Sequence, residues 1–205
     1  MRALAVGDDA LLVEVASGEE AQALHAELLR RRADGALTVR EIVPAARTVL
    51  LDGLAEPARW AAELTGARVP EAPAHARELI ELPVRYDGPD LAEVAAHWRV
   101  PEREVARVHA GTEFTVAFCG FAPGFGYLTG LPERYHVPRR ATPRTAVPAG
   151  AVALAGTYTG VYPRSSPGGW QLIGTSDTVL WDPARVPAAL LEPGTRVRFV
   201  PVEGA

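Results

Sequence analysis

Lysine is absent from this sequence of 205 residues, so all 21 basic side chains are arginine. Its absence excludes a P-loop lysine, a Schiff-base lysine and the Ser–Ser–Lys centre of an amidase from this chain. The single cysteine, Cys119, excludes an internal disulfide and a cysteine-rich metal site. Because Cys119 lies in an apolar run, we expect a buried, inert thiol rather than a nucleophile.

Excess positive charge and long apolar runs are also missing. The net charge is −4 and the pI about 5.8, which gives no electrostatic case for nucleic acid binding. No apolar segment approaches the length of a transmembrane helix, and Asp8 and Asp9 interrupt the first apolar stretch, so no signal peptide is expected. We therefore expect a soluble, cytoplasmic protein that binds neither nucleic acid nor membrane.

Residues 1–77 predict a small α+β domain. Short apolar runs predict strands at residues 3–6, 10–15, 37–43 and 48–51. A capping box at Ser17 and Glu20 predicts the start of one helix, and Pro57 the start of a second. The resulting ββαββα order suggests a ferredoxin-like type. Residues 67–77 contain two prolines and little periodicity, and we interpret them as the linker that closes this domain.

Residues 78–205 predict a second domain that is mainly β. A strand at 78–86 is followed by two helices, one capped by Asp90 and one beginning at Pro101. From residue 114 onward, short β runs alternate with turns, including one run at 178–182. This spacing favours an antiparallel barrel with helical lids over a parallel α/β sheet.

Three arginines lie in one proline-rich segment of the second domain. Arg139, Arg140 and Arg144 are interleaved with Pro138 and Pro143, which restrict the backbone. Rigid prolines would hold the guanidinium groups in place before a ligand arrives, and arginine suits carboxylate or phosphate. The alternative interpretation is a solvated loop, or salt bridges to glutamate side chains.

Residues 165–170 read SSPGGW and offer a second candidate anion site. Successive backbone N–H groups there would form an anion nest beside two hydroxyls, although a glycine-rich hairpin corner is the simpler interpretation. The aromatic side chains of Phe121, Phe125 and Tyr127 either wall an apolar pocket or pack in the core.

His109 lies at the end of a predicted helix, just before the glycine-rich region. It is a candidate acid or base because the ordinary pKa of histidine lies near neutrality. It equally suits a helix C-terminus, where a cation is favoured. The histidines are not at metal-ligand spacing, so we expect no metal site.

Three motifs in order carry a family resemblance. GFAPGFGYL (residues 120–128), PRRATPRTAVPAG (138–150) and TGVYPRSSPGGWQLIG (159–174), preceded by His109, resemble the family of 5-oxoprolinase B subunits. This family is also called allophanate hydrolase subunit 1, or KipI-like. The likeness covers nearly the whole chain and implies a ferredoxin-like N-terminal domain followed by a cyclophilin-like β-barrel.

The resemblance also implies an enzyme component that is inactive alone. Its main partner would be a KipA-like C subunit, and the pair would act with a LamB/YcsF-like A subunit. The complex would open the lactam of 5-oxo-L-proline to L-glutamate at the expense of ATP, with Mg²⁺. Two alternatives stay open: a KipI-type inhibitor of a sporulation-type histidine kinase, and the carboxyltransferase half of a urea-carboxylase or allophanate-pathway enzyme.

The motif residues and the arginine cluster together give the predicted site residues, whose roles are our hypotheses. We predict three catalytic residues, with His109 as proton carrier and Arg144 and Ser166 holding carboxylate or phosphoryl oxygens. The predicted substrate- or phosphate-binding residues are Arg139, Arg140, Tyr162, Gly168, Gly169 and Trp170. The predicted pocket wall is Phe121, Phe125 and Tyr127.

Overall fold

The computed structural model describes residues 1–69 and 79–202. The chain divides into two compact units, Met1–Ala76 and Arg77–Ala205. From residue 70 onward, the linker predicted at 67–77 lies outside the described residues. Within the described ranges, none of the helices has the length and apolar character needed to cross a membrane.

The first unit is a four-stranded antiparallel sheet covered by two helices. Its elements are β1 (Arg2–Val6), β2 (Ala10–Glu14), α1 (Gly18–Ala33), β3 (Glu41–Pro44), β4 (Thr48–Asp52) and α2 (Pro57–Leu64). The strand order is β1-β2-β4-β3. Leu11 and Val13 of β2 pack with Leu24 and Leu28 of α1 in the core of this unit. The predicted ββαββα order is confirmed, although the strand predicted at 37–43 is shorter than expected.

The start of α1 follows from local side-chain chemistry. The Ser17 side chain accepts a hydrogen bond from the Glu20 N–H at 3.2 Å, and the Glu20 carboxylate accepts one from the Ala16 N–H at 2.8 Å. Both groups therefore satisfy N–H donors that the first turn leaves without partners. Pro57 occupies the first turn of α2, as predicted.

The second unit is built on a seven-stranded, nearly closed, barrel-like sheet. Its elements are β5 (Leu79–Val84), α3 (Leu91–Trp98), α4 (Glu102–Ala110), β6 (Glu113–Cys119), β7 (Gly126–Thr129), a 3-10 turn (Glu133–Tyr135), β8 (Arg144–Val147), β9 (Ala151–Ala155), β10 (Tyr158–Val161), β11 (Ser166–Gly168), β12 (Gln171–Thr175) and β13 (Arg196–Pro201). The sheet order is β12-β9-β10-β7-β6-β13-β5, while β8 and β11 pair separately as a two-stranded ribbon.

A single bridge nearly closes the sheet between its two edge strands. The Arg85 N–H donates to the Thr175 carbonyl at 2.9 Å, and the Thr175 N–H donates to the Arg85 carbonyl at 2.8 Å. The strand pairs are antiparallel except β13 with β5, which is parallel. The expectation of a mainly β, barrel-like second domain is thus confirmed, with one parallel pair that the sequence did not indicate.

The strand predicted at residues 178–182 is wrong. This segment contains one isolated bridge, between Trp181 and Ala189. The Arg185 guanidinium donates to the carbonyls of Val179, Leu180 and Ala188 at 3.4, 3.2 and 2.9 Å. The Leu180 and Ala188 carbonyls also accept the backbone N–H groups of Leu190 and Asp182, both at 2.9 Å, so the segment pairs locally with residues 188–190 and forms no strand of the sheet.

Strand β9 separates two apolar clusters. Val152 and Leu154 join the interior of the barrel, whereas Ala151, Ala153 and Ala155 join a second cluster on the outer face. Alternation of side chains along a strand explains this division. The small alanines leave room on the outer face for large aromatic side chains, and the candidate site lies there.

Candidate functional site

An open cleft of about 280 Å³ lies on the outer face of the second unit. We call it the aromatic cleft. It is lined by Phe121, Phe125, Tyr127, Arg139, Pro143, Tyr162, Pro167, Gly168, Gly169 and Trp170. The structure thus brings together all three predicted wall residues and five of the six predicted binding residues, although they come from three separate motifs.

Phe125 is the centre of the cleft's aromatic wall. It is 1% exposed, and its ring centroid lies 5.0 Å from that of Tyr127, 5.3 Å from Tyr162 and 5.4 Å from Trp170. All three contacts are edge-to-face, an arrangement favoured by the quadrupoles of the rings. The wall is therefore a packed cluster whose shape exists before a ligand arrives.

Phe121 stands at the rim of the cleft in a strained conformation. Its φ is +68°, and the Ala122 N–H donates across it to the Gly120 carbonyl at 2.7 Å, which forms a γ-turn. Its ring is 57% exposed and meets Phe125 edge-on at 5.3 Å. A left-handed conformation costs a non-glycine residue about 1–2 kcal/mol. The fold tolerates this cost at the mouth of the cleft, where strain is often tied to function.

Two of the three clustered arginines are engaged by Asp90, which is 3% exposed. Its Oδ1 accepts from Arg140 Nη1 at 2.8 Å and from Arg144 Nη2 at 2.7 Å, and its Oδ2 accepts from the Leu172 N–H at 2.7 Å. Asp90 occupies the predicted N-cap position of α3, but its side chain makes no capping hydrogen bond to the helix. The carboxylate instead accepts hydrogen bonds from the two guanidinium groups and from the backbone N–H of Leu172.

Arg139 is the member of the cluster that faces the cleft. It is exposed and forms no ion pair within the described part of the chain. Burial raises the pKa of the neighbouring Tyr162, and the charges of Arg139 and Arg144 oppose that shift. Tyr162 therefore keeps its phenolic proton at neutral pH and can donate it in a hydrogen bond, while Arg139 can pair with an anion.

The segment 165–170 does not form the anion nest considered from the sequence. None of these residues has a positive φ, whereas a nest needs alternating left- and right-handed conformations. The segment is one side of the β8–β11 ribbon, and the Gly169 carbonyl accepts the Arg140 N–H at 2.8 Å. The Ser166 hydroxyl donates to the Arg164 carbonyl at 3.3 Å and does not line the cleft.

His109 lies in the core, away from the aromatic cleft. It is fully buried, with Nδ1 2.9 Å from the Tyr86 hydroxyl and Nε2 2.9 Å from Thr159 Oγ1. Its ring also packs on Phe199, with centroids 4.4 Å apart. Burial lowers the pKa of His109 to about 3, so the imidazole is neutral at neutral pH. Its surroundings are those of a buried histidine with both nitrogens partnered.

Sequence reasoning missed the part played by Asp90, because its partners lie 50, 54 and 82 positions along the chain. No local signal distinguishes such a residue from an ordinary helix cap. Cys119 is half-buried, not buried as expected; burial still raises its thiol pKa to about 11, and the thiol donates to the Leu191 carbonyl. Among the described residues, no group of three His, Cys, Asp or Glu side chains is placed to hold a metal ion.

Comparisons with known proteins agree on one family. The family described as carboxyltransferase domain, subdomain C and D, matches residues 1–191. A protein of Escherichia coli O157:H7, named as the B subunit of 5-oxoprolinase, is 50% identical over 157 residues, covering 75% of this chain and 69% of that protein. The Haemophilus influenzae protein of the same name is 51% identical over 129 residues, covering 61% of this chain and 60% of that protein.

A solved structure shows the same architecture. The crystal structure of TTHA0988 superposes with a TM-score of 0.76 at 36% identity, covering 96% of this chain but only 40% of that chain. The chain therefore spans less than half the length of this structural relative. The motifs, the fold and the match over residues 1–191 lead to one conclusion: the chain belongs to the family of carboxyltransferase domains, subdomain C and D, among relatives named as the B subunit of 5-oxoprolinase.

Proposed function

We propose that this chain is the B subunit of an ATP-dependent 5-oxoprolinase. It would act with a KipA-like C subunit and a LamB/YcsF-like A subunit to open 5-oxo-L-proline to L-glutamate. The names of its relatives support the reaction. The observation that carries the proposal is the aromatic cleft, in which the Arg139 guanidinium, without an ion pair among the described residues, lies beside a packed aromatic wall.

The chemistry of the cleft suits a small cyclic amide with one carboxylate. Arg139 would pair with the carboxylate, because guanidinium presents two parallel donors to two carboxylate oxygens. The exposed Phe121 ring, backed by the wall of Phe125 and Trp170, would pack against the apolar edge of the lactam ring. The Tyr162 hydroxyl, held protonated by burial, would donate to a carbonyl or phosphoryl oxygen.

An amide carbonyl is a poor electrophile, and ATP would activate it by phosphorylating its oxygen. In this proposal the chain's own residues bind and orient the lactam. The described residues do not fit a resident Mg²⁺ site, so Mg²⁺ would arrive with the nucleotide and no step is assigned to a metal held by this chain.

We assign different roles to the three predicted catalytic residues. Arg144, together with Arg140, would fix the proline-rich segment through Asp90, so that Arg139 points into the cleft. Ser166 and His109 do not line the cleft, and neither is given a chemical step. Arg139 is therefore the residue that we expect to contact substrate.

We also propose a fold type for each of the two units. We interpret the first unit as ferredoxin-like, because the order β1-β2-β4-β3 results when the last strand of a βαββαβ unit is moved to its start. We interpret the second unit as a cyclophilin-like barrel. We also expect a cytoplasmic protein that is inactive without its partners. The kinase-inhibitor alternative is not favoured, since the relatives carry the name of an enzyme component.

Reconstitution tests the proposal. The chain would be co-expressed with the C and A subunits, and 5-oxoproline-dependent formation of ADP and glutamate would be measured with each component omitted in turn. We expect activity only with all three, and a rise of at least tenfold in the KM for 5-oxoproline in Arg139→Ala. Arg164→Ala is the matched control, because Arg164 is exposed in the same motif region and does not line the cleft. A complex that consumes ATP without any dependence on 5-oxoproline would contradict the proposal.

A further inference from the structure

A second cavity, also of about 280 Å³, adjoins the aromatic cleft. We call it the Trp181 cleft. One side is the turn at Ala149 and Gly150, and the other is the segment 176–181. Tyr162 lines both cavities, so the two are neighbours at this side chain. A ligand longer than the lactam would therefore reach from one cavity into the other across Tyr162.

Trp181 differs from the other tryptophans of the chain. It is 42% exposed, whereas Trp60, Trp98 and Trp170 are each at most 6% exposed. Within the described ranges, no other aromatic ring contacts the Trp181 ring. Its Cβ lies so close to Gly124 that a Cβ added there would approach it to 2.8 Å, so the base of the side chain is held against the loop 120–125. The result is an anchored indole with an uncovered surface.

The polar groups around the Trp181 cleft are uncharged or acidic. The Ser176 hydroxyl, 2% exposed, donates to Thr178 Oγ1 at 3.1 Å. The Asp177 carboxylate at the edge is paired with Arg85 at 2.7 Å. No arginine lines this cleft among the described residues, whereas Arg139 lines the neighbouring one. The Trp181 cleft therefore suits a neutral ring that donates hydrogen bonds, and the aromatic cleft suits an anion.

These observations support a binding subsite for the base of a nucleotide. We propose that the Trp181 cleft binds the adenine ring of ATP, stacked on Trp181, with the phosphates directed across Tyr162 towards Arg139. The exocyclic amino group of adenine would donate to oxygens at the rim, and stacking needs only a π-face. The identity of the nucleotide rests on the proposed function, while the stacking platform rests on the geometry of the cleft alone.

Tryptophan fluorescence tests the base subsite without turnover. Adenosine, which has no phosphate, would be titrated into the full chain and into the reconstituted complex. We expect saturable quenching that is lost in Trp181→Leu and retained in Val186→Ala. Val186 is 96% exposed in the same segment of chain and does not line the cleft, which makes it the matched control. Unchanged quenching in Trp181→Leu, or no saturable quenching up to the solubility of adenosine, would overturn the inference.

Kinetics of the reconstituted complex separate this inference from the proposed function. We expect Trp181→Leu to raise the KM for ATP at least tenfold and to leave the KM for 5-oxoproline unchanged, whereas Arg139→Ala removes the cation proposed for both the lactam carboxylate and the phosphates and should raise both KM values. A complex with no 5-oxoproline-dependent ATP consumption would defeat the proposed function, and the adenosine titration would still decide the base subsite. Loss of co-elution of Trp181→Leu with the C subunit would overturn the inference, because Trp181 would then be a docking residue.

Discussion

Asp90 and Arg144 form an ion pair of 2.7 Å, although they lie 54 positions apart in the chain. The same Asp90 oxygen also accepts from Arg140, and the other oxygen accepts the backbone N–H of Leu172 in β12. One carboxylate therefore ties together the start of α3, a strand of the barrel and the proline-rich segment. That segment carries Arg139 to the aromatic cleft.

Asp90→Asn should be strongly destabilising, because it removes the buried counter-ion of Arg144 and leaves Arg140 with only the exposed carboxylate of Glu93. We expect the free energy of unfolding to fall by about 3 kcal/mol, measured by urea denaturation. Glu93→Gln is the matched control, since Glu93 pairs with Arg140 at 3.2 Å but its side chain is 58% exposed. The control should lose less than about 1 kcal/mol. Equal losses in the two variants would contradict the central place given to Asp90.

Gly168→Ala and Gly169→Ala should differ sharply although the residues are adjacent. A Cβ on Gly168 would overlap the hydroxyl of Tyr162, which is 2% exposed and has little room to move. We expect Gly168→Ala to lower the free energy of unfolding by about 1–3 kcal/mol and to distort the cleft. A Cβ on Gly169 would lie 3.6 Å from Pro143, an ordinary contact, so a change within about 0.5 kcal/mol is expected. Thermal denaturation of both variants decides the comparison, and a tolerated Gly168→Ala would show that Tyr162 moves freely.

His109 should make the stability of the second unit depend on acid pH. Its pKa is lowered by burial from 6.5 to about 3, so below pH 6.5 the unfolded chain binds a proton that the folded chain does not. The contribution to stability is complete above pH 6.5 and is lost by about 1.4 kcal/mol per unit as the pH falls towards 3. In His109→Gln, urea denaturation between pH 6.5 and 4 should show a shallower slope. An unchanged slope in His109→Gln would be inconsistent with a neutral buried imidazole.

At Phe121 the glycine variant should be more stable than the alanine variant, the reverse of the usual order of stability. Glycine is ordinarily the less stable of the two, because it gives the unfolded chain more freedom. At φ +68° the steric cost of a Cβ outweighs this effect, so we expect Phe121→Gly to be about 1 kcal/mol more stable than Phe121→Ala. Both variants lack the ring, so their difference in thermal denaturation isolates the backbone term. Greater stability of the alanine variant would show that the turn relaxes when the ring is removed.

Features that depend on one turn of chain were predictable from the sequence. The capping box at Ser17 and the start of α2 at Pro57 need only neighbours within a few residues, and both are confirmed. The strand expected at 178–182 failed because the segment pairs locally with residues 188–190, and Arg185 also binds the carbonyls of Val179 and Leu180. Apolar alternation alone does not reveal such a competitor.

The sequence predicted which residues line the candidate site, but it did not predict that its three arginines make different contacts. The motifs indicated a shared pocket, and Phe121, Arg139 and Trp170 do meet in the aromatic cleft. The three neighbouring arginines look equivalent in sequence, yet Asp90 forms ion pairs with Arg140 and Arg144 and none with Arg139. That distinction depends on contacts between distant parts of the chain, which neither spacing nor composition encodes.

The position of β13 in the sheet constrains when this unit can complete its fold during synthesis. β13 follows every other strand of the sheet in sequence, yet it lies between β6 and β5 and pairs with both. On the ribosome, β5 would emerge first and wait with an unpaired edge until β13 appears, because Leu79 pairs with Arg196. Contacts between such distant segments close slowly. Until β13 emerges, the nascent chain would therefore expose unpaired strand edges, the kind of surface that chaperones protect from aggregation.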